Sequence, residues 1–100
     1  MDLEEYRKQI NSKSIFIVFF YNLRYTELKN KIDILRTQCI KNYHNDIFCF
    51  IDCDNYSNNK LIESLFIKSV PLFHIYKNRE LIEEIFGNYD NIYNIINAHI

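Results

Sequence analysis

Residues 69–80 read SVPLFHIYKNRE. A proline opens the run, and PLFHIY supplies the aromatic and β-branched residues that suit a pleated sheet. KNRE is short and polar enough for a tight turn. LIEEI, at residues 81–85, continues the chain beyond it with a mixed pattern. Two strands joined by so short a link must be antiparallel, so residues 71–85 read as a β-hairpin.

Outward from the hairpin, SIFIVFF (14–20) and IFCFID (47–52) are continuously apolar and read as buried strands. Between them Leu28, Ile32, Leu35 and Cys39 recur at helical spacing, which predicts a helix to about residue 42, and NYHND (42–46) is a polar turn. At the start, DLEEYRKQIN (2–11) sets Leu3, Tyr6 and Ile10 on one helical face behind Asp2, a residue type that caps helices. SNNKLIESLF (57–66) predicts a short helix burying Leu61, Ile62, Leu65 and Phe66. After Gly87, DNIYNIINAHI (90–100) predicts a last helix on Ile92, Ile95 and Ile96. The order α-β-α-β-α-β-β-α describes an α/β chain with a mixed four-stranded sheet flanked by helices on both faces. Strands linked through a helix are expected to be parallel crossovers. No repeat or linker interrupts the pattern, so residues 1–100 read as one domain.

Apolar residues make up 48% of the chain and aromatic residues 16%, which points to a packed globule. The net charge is −1, with no basic patch interleaved with aromatics, so nucleic acid is not an expected partner. The longest apolar run, IFIVFFY, falls far short of the ~20 residues of a membrane helix. It does not follow a basic leader with a small-residue cleavage site either, so no membrane contact is expected and the location reads as cytoplasmic and reducing. Gly and Pro occur once each, against averages of about 7% and 5%, as codon usage in an AT-rich genome would produce. Gly87 and Pro71 are the more informative for having survived that bias.

The three cysteines are Cys39, Cys49 and Cys53. Four residues along a strand put the last two about 13 Å apart, beyond the ~4.4–6.8 Å a disulfide spans. Reduced thiols are expected. Metal binding by His44, Cys49 and Cys53 would need an H-x4-C-x3-C spacing that matches no common zinc site. His74 reads as a packed or hydrogen-bonded strand residue. No nucleophile with a placed base and no glycine-rich phosphate loop is visible, so no cofactor is implied.

SVPLFHIYKNRE resembles the segment of the thioredoxin family in which a cis proline opens a strand and a Lys-Asn-Gly-like turn ends it. Pro71 is the corresponding proline. Gly87, within FGN, sits where that family has a glycine after its last strand, FIDCDN resembles its second-strand end, and FIVFFYN its active-site strand. The resemblance spans roughly residues 2–98 and implies a thioredoxin-like fold. Laid on the family, the redox CxxC falls on Tyr25, Thr26, Glu27 and Leu28, with both cysteines gone. A dithiol relay needs a thiolate nucleophile and a resolving thiol beside it, and Tyr25 and Leu28 are neither. The family's buried aspartate falls on Phe19 and the lysine that pairs with it on Phe50. Family members also usually begin with a strand at the sheet edge beyond 47–51, and this chain starts near the first helix. That N-terminal edge strand is therefore expected to be missing and 47–51 to form an exposed edge, open to strand addition.

The resemblance thus implies a redox-inactive protein-interaction module that takes a protein or peptide partner, with no dithiol–disulfide oxidoreductase activity expected. The expected surface is the former active-site groove, built from Tyr21, Tyr25, Leu28, Cys53, Val70 and Pro71, or the 47–51 edge, which would also serve a homodimer. Two alternatives stand beside it. Cys53 could act alone as the thiol of a redox protein or sensor, although a cysteine at a strand end is more often a small packed hydrophobe. The chain could also be a non-catalytic subunit of a larger assembly.

Overall fold

The computed structural model of the chain describes residues 1–24, 26–43, 47–87 and 91–100, with the side chains of residues 26–28 outside that description. Its elements are α1 (Leu3–Ser12), β1 (Ile15–Tyr21), α2 (Thr26–Asn42), β2 (Phe48–Asp52), α3 (Asn59–Ser64), β3 (Leu72–Lys77), β4 (Glu80–Phe86) and α4 (Ile92–His99). Asp2 caps α1, its carboxylate accepting the Glu5 N–H at 2.8 Å. Such a cap is worth about 1 kcal/mol.

The strands form one mixed sheet in the order β2-β1-β3-β4. β1 and β2 are parallel, from Ile17↔Phe48 to Tyr21↔Asp52. β3 is antiparallel to both β1 and β4. The expectation that every helix-linked pair is parallel therefore fails between β2 and β3. The connection, residues 53–71, is long enough to span the sheet, but its six-residue α3 covers only about 9 Å and the chain does not cross back. β3 instead enters where β2 ends, with Leu72 beside Phe20 and Asp52 beside Tyr21.

β1 is continuously apolar because it is central and covered on both sides. Ile17, Phe19 and Tyr21 pack with Ile32, Leu35 and Cys39 of α2 and Ile92 and Ile96 of α4. Phe16, Val18 and Phe20 pack on the other face with Tyr6 of α1 and Leu61 of α3. Phe66 corrects the sequence reading: expected in the core, it is 81% exposed. The helix closes at Ser64, two residues early, with the Phe66 N–H donating to Glu63 and the Ile67 N–H to Ile62. That leaves Phe66 at φ +57°, facing water. At the β3–β4 turn, Asn78 and Arg79 both have positive φ, 51° and 74°, the backbone that matches a two-residue hairpin to strand twist. Among the described residues no helix is long and apolar enough to cross a membrane.

Candidate functional site

Three connections meet at the end of the sheet where β1 and β2 finish and β3 begins. They enclose a shallow cleft of about 180 Å³. Asn22 and Arg24 line it from the segment after β1, Cys53 and Asp54 from the end of β2, and Ile62, Ile67, Lys68, Ser69 and Val70 from α3 and the approach to β3. The Cys53 N–H donates to the Tyr21 carbonyl at 2.7 Å, which carries the parallel ladder one residue past β2 and fixes Cys53 beside β1. The Val70–Pro71 peptide bond is cis. Behind it the Gly87 N–H donates to the Pro71 carbonyl at 3.1 Å, and Gly87 holds φ +70°, which glycine adopts without strain. Arg24 and Asp54 approach to 3.6 Å across the mouth, both largely exposed.

Burial pushes the Cys53 thiol up to about 11, and the neighbouring Asp52 and Asp54 carboxylates push the same way against the opposing Tyr21 backbone hydrogen bond. Its sulfur lies 3.9 Å from the Ile51 carbonyl. Such a thiol holds little thiolate near neutral pH.

No protein-family model matches the sequence, and no curated protein matches it. Solved structures do. Thioredoxin f2 of Chlamydomonas reinhardtii is similar at a TM-score of 0.77 and 25% identity, over 99% of this chain and 93% of its own. A Plasmodium falciparum thioredoxin gives 0.78 and 25%, over 98% and 94%. A thioredoxin f2 solved in complex with ferredoxin:thioredoxin reductase gives 0.76 and 24%, over 98% and 90%. The chain has the thioredoxin-like fold.

Within the thioredoxin-like frame the residues singled out from sequence separate. Cys53 and Val70 line the cleft, with Pro71 directly after them. Tyr21 does not belong there. It is 6% exposed, faces the α2 core, and its hydroxyl accepts a hydrogen bond from Arg36 at 3.0 Å. The reason is parity: Tyr21 follows Ile17 and Phe19 on the same side of β1. Tyr25 and His44 lie outside the described residues, as do the side chains of Thr26, Glu27 and Leu28. Cys39 is sealed in the core and its thiol pushed up to about 11 by burial, while Cys49 is half-buried within β2. All three cysteines are free. Among the described residues no three His, Cys, Asp or Glu side chains gather as metal ligands.

Phe19 and Phe50 are register partners across β1 and β2, edge-to-face at 6.1 Å. Phe19 also stacks on Phe73 at 4.2 Å and 11°, and the Arg36 guanidinium sits 4.9 Å from the Phe50 ring. An aromatic row thus occupies the positions onto which the resemblance lays an acid and a lysine. Sequence reasoning missed Arg24, Asp54, Lys68 and Ser69. Their neighbours carried the hint, since Arg24 directly precedes the degenerate CxxC position and Lys68-Ser69 directly precede Val70-Pro71.

Proposed function

We propose that this thioredoxin-like chain binds an extended protein segment noncovalently in the cleft at Val70 and Pro71, and carries out no dithiol–disulfide exchange. One observation carries the reading: the cleft is formed, yet the thiol on its wall is held up to about 11. A relay would also need a second, resolving thiol, and no cysteine stands two or three residues from another. Ile62, Ile67 and Val70 offer apolar surface, with Arg24 and Lys68 at the rim. Among the described residues the Val70 N–H and C=O have no hydrogen-bond partner, which leaves them free to pair with an extended segment. The complex of a thioredoxin f2 with ferredoxin:thioredoxin reductase illustrates protein docking on this fold.

Affinity capture from the cells that produce the protein tests this reading. Capture of a partner is expected to survive both reductant and Cys53→Ser, and to fall at least about tenfold in an Arg24→Glu/Lys68→Glu variant. The position of Cys53 on the cleft wall favours one competing reading, a single-thiol redox protein. Under that reading Cys53→Ser or reductant abolishes capture.

A further inference from the structure

The two edges of the sheet are unlike. β4 carries Glu80, Glu83 and Glu84, and its pairing with β3 shifts register at Ile75 and Tyr76. Charge and irregular pairing are common means of keeping a free edge from recruiting another strand. β2 has neither. It reads Phe-Cys-Phe-Ile-Asp, uncharged before Asp52, and pairs with β1 in unbroken register. Among the described residues no strand lies on its outer side.

The free positions on that side follow from the ladder. The Tyr21 carbonyl takes the Cys53 N–H, so Cys49 and Ile51 also turn their backbone groups toward β1, while Phe48, Phe50 and Asp52 turn theirs outward. The Asp52 carbonyl is already occupied, by Asn58 Nδ2 at 2.9 Å and the Asn55 N–H at 3.2 Å. Complete donor–acceptor sites therefore remain at Phe48 and Phe50.

We propose that a second copy of this chain pairs antiparallel along β2, about a two-fold axis at Cys49. In that register Phe48 of each copy exchanges both backbone bonds with Phe50 of the other, and the occupied Asp52 carbonyl is not required. Phe-Cys-Phe is symmetric about Cys49, so the free sites of one copy match those of another without a second sequence. The rings of Phe48 and Phe50 then face each other across the junction on the α2 side of the sheet. The two Cys49 residues oppose each other on the α1 side as a non-hydrogen-bonded pair, with Cα atoms ~4.5 Å apart. A contact this short buries less than the ~1,200 Å² of a standard interface, so the dimer belongs to the weak, concentration-dependent class. The inference does not rest on the cleft reading.

Sedimentation equilibrium in reducing buffer, from about 10 µM to 1 mM, is expected to show a mass rising from monomer toward dimer. Phe48→Pro removes an outward N–H and leaves the bonds to β1 intact, and is expected to weaken association at least about tenfold. A trapping experiment checks the register independently of that variant. Diamide, which accepts the two electrons and two protons lost by a thiol pair, should link the Cys53→Ala chain into dimers, because opposed Cys49 residues lie within disulfide reach. Adding Cys49→Ala to that Cys53→Ala chain should leave it unlinked, since Cys39 is sealed in the core. A chain monomeric throughout, or a crosslink that persists in the Cys49→Ala/Cys53→Ala chain, overturns the proposal.

Discussion

Phe66 combines two costs. It exposes most of a phenyl ring and holds φ +57°, a backbone region that costs a non-glycine residue about 1–2 kcal/mol. Phe66→Asn is expected to stabilise the chain by about 1 kcal/mol in urea unfolding, since asparagine tolerates this conformation. His74 shows the reverse arrangement, a polar group inside. It is 6% exposed, its Nε2 lies 2.9 Å from the Glu84 carboxylate, and its Nδ1 is buried without a partner among the described residues. Burial lowers its pKa below the usual 6.5, against the opposing pull of Glu84. The folded state therefore favours neutral His74. The resulting stability is fully present above pH 6.5 and is lost as pH falls through the lower folded value, because the unfolded chain takes up the proton first. His74→Phe is expected to flatten the loss of stability just below pH 6.5, measured as urea midpoints across pH. An unchanged slope would mean that His74 contributes nothing to acid sensitivity.

At the scale of elements, β1 governs the packing, because its two faces serve two separate clusters. The aromatic row Phe50–Phe19–Phe73 crosses three strands on one of those faces. Phe19→Asp would place a carboxylate there with no cation at position 50 to meet it. Its expected cost is about 3–5 kcal/mol, read from chemical denaturation. A loss below about 1 kcal/mol would show that the row tolerates the charge. The elements themselves were legible in the sequence because each carries its period: continuous for β1 and β2, helical for α2 and α4. Strand direction was not legible between β2 and β3. It depends on the end of the sheet to which the 53–71 connection returns, and a hydrophobic pattern does not encode that. The early closure of α3 was equally hidden, since Phe66 continues the apolar spacing that its backbone abandons.

Across the whole molecule, the cleft was half legible. Val70, Pro71 and Cys53 were reachable from the resemblance, whereas Tyr21 was lost to the core by strand parity and Arg24, Asp54 and Lys68 emerged only once three separate connections met. The assembled site has an open cleft with apolar lining and a disfavoured thiol. A turbidimetric insulin-reduction assay with dithiothreitol is therefore expected to show no acceleration over the reductant alone. The most direct test of the central claim is the pH dependence of alkylation at Cys53 in the folded protein, followed residue by residue by mass spectrometry. Slow modification at neutral pH is expected, rising along a titration centred near 11. Titration of Cys53 below about 7 would mean a stabilised thiolate on the cleft wall, and would contradict a site built for noncovalent binding.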